Sequence, residues 1–127
     1  MVKTTLVGPD LALAQEILRT LDHAKFPITL AMWLLQKERA DWTLVVATPL
    51  YDRLGPQKAY LQLINLLSAE YPHVVMDLPI RLESNRRPII KELRKMFGQT
   101  ASVEGTRIGL QSIGGVWIDD AYIYRIK

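Results

Sequence analysis

The chain has 127 residues, 49% hydrophobic and 23% charged, with a net charge of +3. That size and balance suit one globular domain with its own core and exclude a disordered chain. It contains no cysteine, which excludes disulfides, thiolate metal sites and cysteine nucleophiles.

The amino-terminal MVKTTLVGPD lacks the apolar stretch of a signal peptide. No unbroken apolar run approaches the ~20 residues of a membrane helix. A soluble, cytoplasmic protein is the expectation. After a possible short strand at Thr4–Val7, Gly8-Pro9-Asp10 opens a helix: proline suits its first turn, and aspartate complements the positive end of its dipole. Leu11, Ala14, Ile17, Leu18 and Leu21 recur at helical spacing and carry one apolar stripe to about His23.

Ile28 to Ala47 is the densest apolar stretch, two runs either side of the polar insert Gln36–Asp41. Two readings compete. Leu30–Ala40 has helix-forming composition. Against it, Ile28 and Thr29 are β-branched, the run is apolar on all sides, and Trp42–Ala47 reads as a strand. Two adjacent core strands, buried on both faces, are the favoured reading. Gly55-Pro56 starts a second helix whose apolar face takes in Ala59, Tyr60, Leu63, Ile64, Leu66 and Leu67 and ends at Tyr71-Pro72. Val74–Leu82 reads as a strand, and Pro79 within it implies an edge position or a bulge, since proline donates no ladder bond. Ser84 or Asn85 can cap a third helix carrying Ile89, Ile90, Leu93, Met96 and Phe97, with Gly98 at its stop. Thr106–Ile113 and Val116–Ile126 form a hairpin through Gly114-Gly115, with a bulge expected at Asp119-Asp120. The order α-β-β-α-β-α-β-β, with two hairpins, predicts a single α+β domain, its mostly antiparallel or mixed sheet covered by three helices.

Four sets of residues carry the functional possibilities. Between Arg81 and Lys95 six basic residues stand against Glu83 and Glu92, a balance of +4. Arg86, Arg87, Lys91, Arg94 and Lys95 could contact phosphates if their helix turns its apolar face inward, although no nucleic-acid-recognition motif accompanies them. Asp77, Glu83, Asp119 and Asp120 lie on or beside strands and could converge on Mg²⁺ as in a small nuclease, but no carboxylate–x–lysine pair supports this. His23 and His73 have no nearby partner for a metal or a catalytic dyad. Trp117, Tyr122 and Tyr124 could anchor a partner, above all if Ala121–Ile126 is an edge strand open to a second chain.

Neither a nucleophile elbow nor a phosphate-binding loop is present, and the residues name no cofactor or metal. The balance leans away from an enzyme. The expectation is a small non-catalytic interaction or accessory module that binds a protein partner or itself. Nucleic-acid binding through residues 81–95 is the alternative, and a carboxylate-dependent nuclease ranks below it.

Overall fold

The computed structural model describes Leu6, 8–36, 41–72, 79–98 and 106–127. The elements run α1 (Gly8–His23), β1 (Leu30–Gln36), β2 (Asp41–Thr48), α2 (Leu50–Leu54), α3 (Pro56–Glu70), β3 (Ile80–Ser84), α4 (Pro88–Phe97), β4 (Thr106–Ile113) and β5 (Val116–Ile126). The fold is α+β in the expected order, with the five-residue α2 as an addition. Of the Thr4–Val7 segment only Leu6 is described; it lies outside any strand and packs on the core.

α1 buries the stripe Ala14, Ile17, Leu18 and Leu21 and closes in a Schellman turn. Phe26 N–H donates to the Leu21 carbonyl (2.9 Å) and Lys25 N–H to that of Asp22 (3.0 Å), with Lys25 left-handed at φ 60°. The central stretch then settles as a hairpin, registered from Leu30↔Ala47 to Gln36↔Asp41. Its all-round apolarity has a simple cause. Ala31 and Trp33 turn towards α1 and α3, while Leu30, Met32 and Leu34 turn to the opposite face against α4. A strand covered on both sides has no polar phase, and each fully buried large side chain contributes roughly 1.5–3 kcal/mol. That is why a strand here lacks the usual alternation.

From β2 the chain crosses over through α2 and α3 to β3, which pairs parallel to β2. The buried Thr48 hydroxyl accepts the Leu50 N–H at 3.2 Å and so sets the start of α2. Gly55, at φ 87°, permits the turn into α3, whose first residue is Pro56. Only Ala59, Leu63 and Leu67 of α3 are buried, a narrower face than the run of apolar residues implies. β3 begins just after Pro79, consistent with the edge position that proline predicts; residues 74–78 of the expected strand lie outside the described residues. Neither Ser84 nor Asn85 caps α4, because the strand extends to Ser84. The Ser84 hydroxyl instead accepts Arg86 N–H (3.1 Å) and donates to Asp52 (2.6 Å). The helix starts at Pro88 after Arg87, where a proline at its first position suits the backbone.

The sheet order is β3-β2-β1-β5-β4. β5 is therefore an interior strand, paired with both β1 and β4. The condition that Ala121–Ile126 be an edge strand is therefore not met: β1, not solvent, takes up its second side. Two irregularities shape β5. No rung joins Leu110 and Asp119 in the β4–β5 ladder, Leu110 sits at φ 49°, and the inward phase changes between Ile118 and Ala121. The anticipated break at Asp119-Asp120 thus shifts the side chains without shifting the register. Further on, the β1–β5 register slips between Ala31 and Met32. That bulge lets two successive residues reach α1: Tyr124 donates its hydroxyl to the Leu11 carbonyl (2.9 Å), and Arg125 makes a bidentate pair with Asp22 (2.7 and 2.6 Å).

Candidate functional site

β3 has the sequence Ile80-Arg-Leu-Glu-Ser84 and ends the sheet, paired on one side only among the described residues. Its phase is fixed by one bond, from Leu44 N–H to the Pro79 carbonyl (2.8 Å). In a parallel ladder, successive residues turn their backbone groups to opposite sides. Pro79, Arg81 and Glu83 thus face β2, and the backbone groups of Ile80, Leu82 and Ser84 face outward, the Ser84 carbonyl already accepting the Arg87 N–H at 3.3 Å. Side chains alternate in the perpendicular sense. Leu82 packs with the α1 and α3 core. Arg81 and Glu83 lie on the α4 side, beside Val45 and Ala47.

Next to this edge an open groove of about 630 Å³ runs between α2–α3 and β3. Tyr51, Pro56 and Ile80 line it together with Tyr60 and Leu61, which are 40% and 60% exposed. Scattered exposed hydrophobes are ordinary on a protein surface; here a group of them lies beside strand groups that face away from β2. The sequence holds a trace of this in the breadth of the helix's apolar face: Tyr60 extends it beyond what the core uses. On the α4 side, a smaller cleft of about 290 Å³ has an apolar floor that includes Met32, Leu34 and Val45. Its mouth is crossed by ion pairs from Glu83 to Arg81 (3.0 Å) and to Arg87 (3.2 Å). Glu83 is occupied by two guanidinium groups, so no free charge is aimed into that cleft.

The basic segment is divided by the structure. Arg81 belongs to β3, not to the helix. Arg87 pairs with Glu83, Lys95 with Glu92 at 3.6 Å, and Arg94 donates to the carbonyl of Lys127, which ties down the end of the chain. α4 does bury Ile89, Ile90 and Leu93. Only Arg86 and Lys91 of the five candidate phosphate contacts are exposed without an ion pair among the described residues. Charge runs thus resolve mostly into pairs, each worth ~0–1 kcal/mol at a surface.

The three aromatic candidates of the C-terminal hairpin also separate. Trp117 is 51% exposed, with its indole N–H donating to Asp119 at 3.2 Å. Tyr122 is half-buried and meets Tyr124 edge-on, with ring centroids 5.2 Å apart. Tyr124 is wholly buried, and burial pushes its phenol well above the usual range. It is a core residue. The carboxylates do not converge. Asp120 pairs with Arg107 through two bonds of 2.9 and 2.6 Å, and that guanidinium holds its carboxyl below the ordinary carboxylate range. Arg107 also lies 5.6 Å over the Trp42 ring. Glu83 stands at the far edge of the sheet, with β2 and β1 between β3 and β5, and Asp77 lies outside the described residues. Among the described residues no three His, Cys, Asp or Glu side chains are grouped to hold a metal, and His23 is exposed at the end of α1.

No helix among the described residues is long and apolar enough to cross a membrane. Compared with family models, with curated proteins and with solved structures, the chain matches none.

Proposed function

We propose that this protein is a small non-catalytic interaction module that takes up an extended protein segment along β3. The observation that carries this reading is the juxtaposition of outward-facing backbone groups on Ile80, Leu82 and Ser84 with the apolar groove at Tyr60 and Leu61. Strand addition draws its affinity from main-chain hydrogen bonds and its selectivity from pockets that receive alternate side chains. The groove is open along its side, which suits a continuous chain better than an enclosed small molecule. Binding of labelled extended peptides with alternating Leu or Tyr and polar residues tests this reading. Leu61→Glu should weaken binding about tenfold or more, since it places a charge in the groove. The same peptide methylated at every backbone nitrogen should not bind, because it has no N–H donors. Equal binding by wild type and Leu61→Glu would contradict the proposal.

A nucleic-acid reading draws on Arg86 and Lys91, the two exposed cations of the segment that are free of ion pairs among the described residues. It predicts salt-sensitive oligonucleotide binding that is lost in the double variant Arg86→Glu, Lys91→Glu. Binding unchanged by that double reversal would remove it.

A further inference from the structure

We infer that the strand β3 accepts is β3 of a second copy of this chain, joined antiparallel about a two-fold axis at Leu82. The inference rests on the strand-addition reading above and names its occupant. One feature of β3 limits the possible registers and a second selects among them. The first is backbone phase. Ile80, Leu82 and Ser84 face outward, so antiparallel self-pairing must place members of that set opposite one another. Centring at Leu82 sets Leu82 against Leu82, exchanging both N–H···O bonds, and Ile80 against Ser84.

The second feature is charge. In that register Arg81 and Glu83, paired with each other within the chain at 3.0 Å, each stand opposite the unlike charge of the second copy in the closer, non-hydrogen-bonded type of pair, so the two in-chain pairs join into one cluster of alternating sign across the seam. The neighbouring registers that keep the backbone phase fail this test. Centring on Arg81 sets two arginines face to face, and centring on Glu83 sets two glutamates face to face, both destabilising. Leu82-centred pairing alone brings unlike charges together. It also brings the two grooves at Tyr60 and Leu61 to the same face of the joined sheet. Such an interface is isologous and closed, since pairing consumes the open edge of each copy. Unlimited growth through β3 is therefore excluded.

Charge reversal gives a test with a built-in control. Wild type should sediment as a dimer at high micromolar concentration. Arg81→Glu alone sets glutamate against glutamate, and Glu83→Arg alone sets arginine against arginine. Each single variant should raise the dimer Kd about tenfold or more while keeping the wild-type circular dichroism. The double variant Arg81→Glu, Glu83→Arg should dimerise again, and an equimolar mixture of the two single variants should form a heterodimer. A wild type that stays monomeric at high micromolar concentration would overturn the inference. A dimer that neither single variant weakens, or failure of both the double variant and the mixture to recover it, would overturn it equally. Peptide binding blocked by Leu61→Glu in a monomeric wild type would leave the strand-addition reading standing without it.

Discussion

At one edge of the sheet β4 is interrupted: Leu110 takes a left-handed φ of 49°, its rung to Asp119 is missing, and Gly109 lies next to it. At the other edge β3 is short but regular, with a register to β2 unbroken from Ile80 to Ser84. The charges at both edges are paired within the chain. Arg107 of β4 is held by Asp120 of its own hairpin partner and stacks over Trp42. Arg81 and Glu83 alternate along β3 in a pattern that complements its own reverse. Kinks and self-satisfied charges are how sheet edges avoid pairing with other chains. β4 has both devices; β3 shares the paired charges, with Glu83 held by Arg81 and Arg87, but combines an unkinked ladder with an apolar groove, so the two edges predict opposite behaviour towards a second chain.

The contrast can be broken most forcefully from the β4 side. A Cβ on Gly114 would stand 2.5 Å from the backbone nitrogen of Ile89, at a φ of 56°, because the hairpin turn seats directly on the first turn of α4. Gly114→Ala should lower the unfolding free energy by about 2–4 kcal/mol, read by denaturant titration. An unchanged unfolding free energy would mean that the hairpin turn does not seat on α4.

The next effect concerns the frame that both edges share. Arg125 is buried and paired with a half-exposed Asp22, whose carboxyl that guanidinium holds below its ordinary range. Asp120 is lowered in the same direction by Arg107. A depressed folded pKa contributes stability above the unfolded carboxylate value of about 3.9, and that stability is lost as pH falls through the folded value. The melting temperature should therefore be nearly level from about pH 7 to 5 and drop below about pH 4. Asp22→Asn should cost about 1.5–3 kcal/mol at neutral pH, with its melting temperature converging on wild type in acid. A constant gap at all pH values would contradict the pairing.

The smallest effect sharpens the account of the kink. Leu110 is 75% exposed, so little burial is lost on truncation, and its left-handed backbone costs roughly 1 kcal/mol in a non-glycine residue. Leu110→Gly should stabilise the chain by up to about 1 kcal/mol. Destabilisation would show that the leucine side chain holds the turn of the strand.

Much of this architecture is written locally. Proline and glycine place the start of α3 and the end of α4, and the polar insert after Leu35 separates two strands whose burial on both faces explains their missing alternation. What local pattern does not carry is which strands become neighbours. The C-terminal strand reads as an edge because it is terminal and aromatic, yet long-range pairing with β1 makes it interior and buries Tyr124. For the same reason the groove was legible only as an apolar helix face broader than its core requires. Arg81 and Glu83 alternate with Ile80 and Leu82, a two-residue period of a strand. Their place beside Arg86 and Arg87 in the chain merges them with the basic helix when charge alone is counted.

Amide hydrogen exchange at increasing protein concentration tests the open β3 edge most directly. Arg81 and Glu83, whose N–H groups face β2, should be protected at every concentration. Ile80, Leu82 and Ser84 should exchange rapidly in dilute solution and slow as concentration rises, with Leu82 slowed most and β4 unchanged. Exchange at Leu82 that is independent of concentration, or concentration-dependent protection along β4 instead, would contradict the account.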